Sequence, residues 1–431
     1  MKKITTKLKI TISAIALVLF CSVLFLGKNI SYFIFQGINI GSAEAYVLPL
    51  KNREMVYVKL VFKNAGVLHD DIELHGISNL VSVLLFKKIN GLSTEETAEK
   101  IIDLGIRELN VDSSADDFKI SFFVRYNRIK EAFAFFNKAF VAPSFSDGDL
   151  ETAKELIPSA MDPETTSPGQ LMMQKVFEML YGNCNYGMNP AGTSQAISGV
   201  SKVDIQAFIK QKLTCKNLKI FFVGDVSKSD IKTYSKILLV NVPDGDVNTP
   251  AKIGQGSSNE PSATITKENM KDVIGIAYGI RIDQLSDVER AALRIIITAI
   301  FEGNNSDFSD GLVKSDIACK THVKLVDRSL STSVLLCSYI DKKDFDNYMK
   351  YVNSKIAEYN SSIDYEKLKK VQEYFIKIAN NGFYNVSDID EQMKFTYMPF
   401  DKVTREHFLT IIKQLFNRNN IKTVICSATS M

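Results

Sequence analysis

Tryptophan is absent from this 431-residue chain, and histidine occurs only four times, at His69, His75, His322 and His407. With so little imidazole, few placements for a metal centre exist. His69 and His75 are six apart beside a loop and do not share a helix face, so the histidines are expected at loops or the surface. The six cysteines (Cys21, Cys184, Cys215, Cys319, Cys337, Cys426) include no C-x-x-C pair, which removes zinc ribbons and dithiol redox motifs. They are expected as buried thiols. A Cys319–Cys337 bridge stays open if the body is exported, because a hairpin can bring the two together. No G-x-x-x-x-G-K-S/T, no G-x-G-x-x-G after a strand and no G-x-S-x-G occurs. A formal net charge of +3 is too small to argue for a nucleic-acid partner.

What is present is ordinary globular composition, 45% hydrophobic and 23% charged, at a length that calls for two domains. One long charge-free apolar run stands out. It extends from Ile10 to Leu26 and follows Lys2, Lys3, Lys7 and Lys9. A basic segment before such a run marks an export signal or a membrane anchor. The run falls a little short of the roughly 20 residues of a comfortable span. "SAEA", ending at Ala45, offers a small-x-small cleavage pattern, and Cys21 follows Phe20, which argues against lipoprotein processing. Whether cleaved signal or retained anchor, residues 1–45 place the body outside the cytoplasm. It is expected to be periplasmic or exported, held at the inner membrane if residues 10–26 remain.

After Ala45 the pattern alternates between strand and helix. "EMVYVKLVFKNAG" has the β-branched and aromatic content of a strand, and a helix follows over about Gly76 to Lys88. "STEETAEKIIDLG" opens on a capping-box pair, Ser93 and Glu96, and stops at Gly105. "FKISFFVRY" alternates as a strand, and "NRIKEAFAFFNKAFVAP" has helical spacing. Helices are expected over Asp147–Met161, Pro168–Tyr181 and "KVDIQAFIKQKL", before the strand "NLKIFFVGDV". From Pro243 to Pro261 the apolar periodicity vanishes, which marks a linker. The second half then repeats the order: strand "KDVIGIAYGIR", helix "SDVERAALRIIITAIF", the hairpin "HVKLVDRSLSTSVLLCSYI", three further helices and the strand "IKTVICSA". The expected domains are residues 46–242 and 263–431, joined by 243–262. The basic "KLKK" at Lys367–Lys370 reads as a solvated helix face, and Phe133, Phe135, Phe136 and Phe140 as core.

The order of these segments, with "NAG", "GISNLVSVLLFKK", "DLETAKELIPSAM" and "YGNCNYGMNPAGTSQAISGVSKVDIQAFI", resembles the insulinase-like (pitrilysin) zinc peptidases, in the branch with mitochondrial processing peptidase. Tyr186-Gly187, Gly192-Thr193, Ile197, Val200 and Gly224-Asp225-Val226 carry the likeness. The resemblance implies an α+β fold of two tandem homologous α/β-sandwich domains. It also implies a helix bearing H-x-x-E-H, whose two histidines bind zinc while the glutamate acts as base. Anchored on Gly76 and Leu85-Phe86, those positions hold Asn79, Ser82 and Val83, and the third ligand falls at Ala160 with Ala153 two turns earlier. Val and Ala have no donor, Asn is a weak neutral ligand, and Ser is no base at neutral pH. Zinc, the family's cofactor, is therefore not expected here. Glu151 and Glu155 beside the third-ligand position are expected on a solvated face. The resemblance also places a substrate-assisting Arg and Tyr at Leu312 and Cys319, and a substrate-handling glycine-rich loop at Glu302, Gly303, Asn304 and Asn305.

Three functions are compatible with these residues. The first is a non-catalytic subunit that pairs with a zinc-bearing paralogue as a heterodimer and helps bind peptide substrate. The second is an active metalloendopeptidase with an unrecognised metal site, and the third is a stand-alone binding or scaffold protein. No nucleic-acid role is expected.

Overall fold

The computed structural model describes residues 35–141, 144–159, 166–254, 260–302, 306–381 and 398–428. The apolar run 10–26 lies outside them. Among the described residues no helix is long and apolar enough to cross a membrane.

Two mixed sheets organise the chain, one per half. In the first half, β1 (Gln36–Ile40), β2 (Ala43–Pro49), β3 (Met55–Phe62), β4 (Arg107–Ser113), β5 (Phe118–Arg125) and β6 (Leu218–Gly224) form a six-stranded sheet of order β1-β2-β6-β3-β5-β4. In the second half, β7 (Ser262–Thr266), β8 (Val273–Asp283), β9 (Cys319–Asp327), β10 (Ser331–Asp341) and β11 (Lys422–Ser427) follow the order β7-β11-β8-β10-β9. Apart from β1, the orders coincide. In each sheet one pair is parallel, β2 with β6 and β7 with β11, and the others are antiparallel. The expected duplication is therefore visible as topology.

Apart from α5 (Pro168–Tyr181), which lies on the opposite face of the second sheet, helices pack on one face of each sheet. In the first half these are α1 (Ile77–Leu84), α2 (Thr94–Asp103), α3 (Ile129–Phe136), α4 (Asp147–Ser159), then α5 (Pro168–Tyr181), α6 (Ser194–Gly199), α7 (Lys202–Lys212) and α8 (Lys228–Leu239). In the second half they are α9 (Asp287–Phe301), α10 (Asp307–Lys314), α11 (Phe345–Ser361), α12 (Tyr365–Asn381) and α13 (Arg405–Leu415). Local chemistry starts several of them. The Ser93 hydroxyl accepts the Glu96 N–H at 3.1 Å while the Ser93 N–H donates to Glu96 Oε2 at 2.7 Å, the reciprocal cap expected at α2. Leu80, Val81 and Leu84 of α1, with Leu85 just after it, are buried in the first-half core that also holds Phe122, Ile120 and Leu60 of the sheet.

Three expectations change. The chain enters its sheet earlier than Met55: Ala45 lies within β2, opposite Ile38 of β1 and Ile220 of β6, and is fully buried. The boundary drawn after Ala45 thus runs through a paired strand. Cys319 and Cys337 do not meet, because their partners across the hairpin are Ile340 and His322. That offset of three residues puts them on opposite faces of the sheet, since side chains alternate, and both are free thiols. Third, His69 and His75 are buried rather than superficial.

Helix α5 crosses between the halves. It follows the first-half strands in sequence but packs on the second-half sheet, where Met172, Val176, Leu180 and Tyr181 share one apolar cluster with Ala277, Leu335, Cys337 and Val424. Strand β8 makes room for it: a Cβ on Gly279 would come within 2.0 Å of Val176, and one on Gly275 within 2.8 Å of Met172. Gly275, Ala277 and Gly279 share one face of β8, so three small residues at alternate positions form a shallow bed for the helix.

Candidate functional site

The helix α1 with its preceding loop, the Tyr186–Thr193 loop and helix α4 make the site that the sequence singled out. Gly76 starts α1 at a φ of 103°, a left-handed conformation that favours glycine. A Cβ there would lie 2.6 Å from Ile197 Cδ1 and 2.9 Å from both Ala191 O and Gly192 Cα. The two backbones therefore touch, and Gly76 and Gly192 permit it.

Side chains of α1 and its loop then hold that second backbone in place. Asn79 Nδ2 donates to Pro190 O at 2.7 Å, and His75 Nε2 donates to Asn189 O at 2.9 Å. Burial lowers the pKa of the His75 imidazole, which favours its neutral form. The Ser82 hydroxyl donates back to Asn79 O at 2.8 Å within the helix, the local bond that serine favours. Val83 is 44% exposed and has no donor atom. Opposite, Ala153 of α4 is buried in the first-half core. Ala160 lies outside the described residues. Glu151 and Glu155 are exposed on α4, with Glu151 in an i,i+3 pair to Lys154 at 2.9 Å. Among the described residues no three His, Cys, Asp or Glu side chains are placed to hold one metal ion.

Asp70 was not singled out from the sequence, yet it anchors the start of α1. Its Oδ2 accepts from the Gly76 N–H at 2.9 Å, the Ser78 hydroxyl at 3.0 Å and the Ser78 N–H at 3.4 Å. Its Oδ1 is buried without a partner. Burial pushes this carboxyl up to about 7, against the pull of those three donors.

A second polar cluster joins the halves. The turn between β4 and β5 presents Asp116, and the turn between β9 and β10 presents Arg328 and Ser329. Asp116 accepts from the Ser329 N–H at 2.8 Å, the Ser329 hydroxyl at 2.7 Å and the Tyr186 hydroxyl at 3.2 Å. Burial would raise Asp116, but His69, 3.5 Å away, and the two bonds from Ser329 outweigh it and hold the carboxyl at about 2. The His69 Nδ1 accepts the Ala251 N–H at 3.0 Å, so the ring proton sits on Nε2, facing Asp116. Arg328, 4% exposed, lies over the rings of Phe177 and Tyr186 at 4.6 and 5.1 Å and donates to Tyr186 O at 2.7 Å. Tyr186 thus bonds the second half, while Pro190 of the same loop bonds α1 and Asn189 the segment that leads into it.

The remaining candidates are dispersed. Leu312 is buried in α10, and Cys319 sits in β9 with its thiol 3.4 Å from the Thr321 hydroxyl. Of the loop at 302–305 only Glu302 is described. It is tied to its own helix, accepting from Thr298 at 2.6 Å and pairing with Arg294 at 3.0 Å, while Gly303, Asn304 and Asn305 lie outside the described residues. Asp70, His69, Asp116 and Arg328 carried no sequence signal, being single polar residues at turns. The "GIAYG" of β8 did carry one, since small residues at alternate strand positions announce a close-packed partner.

Fold and site together define a tandem α+β protein of two mixed sheets, whose helix α1 carries the uncharged Asn79, Ser82 and Val83 at the positions that the resemblance assigns to metal ligands and base. Residues 47–193 match the family model of the Insulinase (Peptidase family M16) family, so that part of the chain is insulinase-like. Solved structures share the fold. An M16 peptidase inactive domain from Pseudomonas fluorescens is 18% identical, with 92% of this chain and 98% of that one covered and a TM-score of 0.79. A protease from Helicobacter pylori is 15% identical, with 91% and 99% covered and a TM-score of 0.77. The periplasmic protease PqqL from Escherichia coli is 15% identical with a TM-score of 0.69, and the match spans 92% of this chain but 45% of PqqL. The sequence matches none of the curated proteins.

Proposed function

We propose that the chain is a non-catalytic insulinase-like subunit, which pairs with a zinc-bearing relative outside the cytoplasm and contributes peptide-binding surface to the pair. The observation that carries this is the chemistry of α1. Asn79 is committed to Pro190 O, Ser82 to the carbonyl of Asn79, and Val83 has nothing to donate. A water-activating zinc needs imidazole, thiolate or carboxylate ligands and a base within reach. At these positions the helix supplies packing and a clamp for the neighbouring loop. The likeness to an inactive M16 domain, and to half of a periplasmic protease, supports pairing and export.

Two measurements test the reading. Metal analysis of the purified full chain is expected to give far less than one zinc per chain; stoichiometric zinc that survives dialysis against a chelator would overturn it. Affinity purification from the native host is expected to recover a second insulinase-like chain with an intact H-x-x-E-H. Recovery of this chain alone, as a closed homodimer, would refute the pairing and favour a stand-alone binding protein.

A further inference from the structure

Lysines on several helices have a carboxylate partner one turn away. Lys154, Lys175 and Lys355 pair with Glu151, Glu178 and Glu358 at 2.9, 3.0 and 3.1 Å. Helix α8 differs. Lys228, Lys232 and Lys236 stand four residues apart and form one exposed stripe, while Ile231 and Leu238 turn to the core. Among the described residues their ammonium groups make no hydrogen bond or ion pair. Like charges at this spacing repel, so the stripe is unbalanced until something negative faces it.

Neighbouring elements widen the basic face. Helix α3 packs beside α8, and Asn137 in the turn after α3 ties the two, its Nδ2 donating to Ile237 O at 2.8 Å. α3 and that turn expose Lys130 and Lys138, and α7 exposes Lys210, again without a partner among the described residues. The carboxylates of these helices are engaged locally. Glu131 pairs with Arg128 at 2.7 Å, and Asp204 and Asp230 accept from the Ser201 and Ser227 N–H groups at 2.8 and 3.0 Å. Two apolar tips stand among the lysines. Val141 lines a groove with Lys210 and Asn241, Val240 directly precedes Asn241, and the two valines are 66% and 73% exposed.

The place where the chain enters the fold points to what faces these lysines. α8 packs on β1 and β2, and β1 begins at Gln36, ten positions after the apolar run ends at Leu26. A run held in a bilayer therefore keeps the start of β1 within about 36 Å of it. Cleavage after Ala45 would remove β1 and cut β2, which argues for keeping the run.

We propose that the lysine face of α3, α7 and α8 rests on the anionic phospholipid headgroups of a bilayer and orients the body against it. The ammonium groups meet lipid phosphates, and Val141 and Val240 dip into the headgroup layer. Attraction of this kind reads charge rather than headgroup shape, so any anionic phospholipid serves. The inference concerns how the body is held, so it stands or falls apart from zinc content and pairing.

Because the chain has no tryptophan, Val240→Trp provides a single fluorescent reporter. The full chain carrying it is reconstituted with phosphatidylcholine vesicles, plain or with about a third phosphatidylglycerol, containing a lipid spin-labelled at the headgroup as quencher. Quenching is expected to be several-fold greater in the anionic vesicles. It should fall to the plain level in about 0.5 M salt, where screening acts over about 4 Å. Lys228→Glu, Lys232→Glu and Lys236→Glu together should lower the docked-to-free ratio roughly a hundredfold, at about fivefold per lysine. Lys228→Gln, Lys232→Gln and Lys236→Gln together, which add no negative charge, should lie between, with circular dichroism unchanged. Val313→Trp, an exposed position in the other half, should not respond to lipid charge. Equal quenching of Val240→Trp in both vesicles, quenching that survives the triple Lys→Glu variant, or an equal response of Val313→Trp overturns the proposal. Alkaline extraction of the same vesicles tests separately whether residues 10–26 hold the chain. A chain that extracts, yet is quenched only on anionic vesicles, supports the lysine face acting without an anchor.

Discussion

Replacing Asp70 by asparagine should remove a pH dependence from the protein's stability. The carboxyl is buried at the start of α1 and its pKa is raised from 3.8 to about 7, chiefly by burial. A raised acid favours the protonated folded state. Its contribution is therefore fully present below the unfolded value near 3.8, falls as pH rises, and is lost above about 7. At 1.36 kcal/mol per unit, the loss between pH 4 and pH 8 is at most about 4 kcal/mol. Asparagine keeps an acceptor for the Gly76 and Ser78 donors, but its amide replaces Oδ1, which has no partner, at a cost of roughly 1–3 kcal/mol. The variant should therefore be less stable than the parent at pH 5 and equal to or more stable than it at pH 8. Urea unfolding of both proteins at pH 5, 6, 7 and 8 measures the crossing. Parallel curves would refute the reasoning, because they would mean that the three donors and the helix terminus keep Asp70 ionised throughout.

Three further outcomes are expected. Gly76→Ala places a Cβ against Ile197 and the Ala191 carbonyl at a left-handed φ, and should cost roughly 3 kcal/mol or more; a thermal midpoint within a degree of the parent would refute the close contact. Arg328→Met removes a buried cation from the rings of Phe177 and Tyr186 and the donor to Tyr186 O, and should destabilise by about 2 kcal/mol. An unchanged urea midpoint would show that this joint contributes nothing. A chain beginning at Tyr46 lacks β1 and the first three residues of β2, including buried Ala43 and Ala45. It should lose cooperative unfolding by circular dichroism, whereas one beginning at Phe35 should keep it.

The family and the fold were legible in the order of strands and helices. Capping at Ser93 and Ser286, the alternation of Phe118–Arg125 and the apolar spacing of α3 and α9 are local features, written in neighbouring residues. The strands β1 and β2 were not legible. "SAEAYV" has the small residues of a cleavage site, and only pairing with β1 and β6 shows that Ala43 and Ala45 lie buried in a sheet. The linker was legible as composition but not as contact: Asn248 within it donates to Lys63 O and Lys212 O, both at 3.0 Å, and so straps it to the first half.

By itself, the sequence determined that Asn79, Ser82 and Val83 stand at the spacing where the resemblance would put a zinc helix's ligands. Only the tertiary structure decided what those residues do instead. Asn79 and His75 hold a loop more than a hundred positions away, Asp70 caps the helix from outside it, and α5 leaves its own half to lie on β8. The same division holds for α8. Its spacing of Lys228, Lys232 and Lys236 is a sequence fact, but their exposure beside α3, without a carboxylate partner among the described residues, is set by packing. Spacing along the chain sets local hydrogen bonds and which face a side chain takes, whereas burial, contact and an unpaired charge are properties of segments brought together.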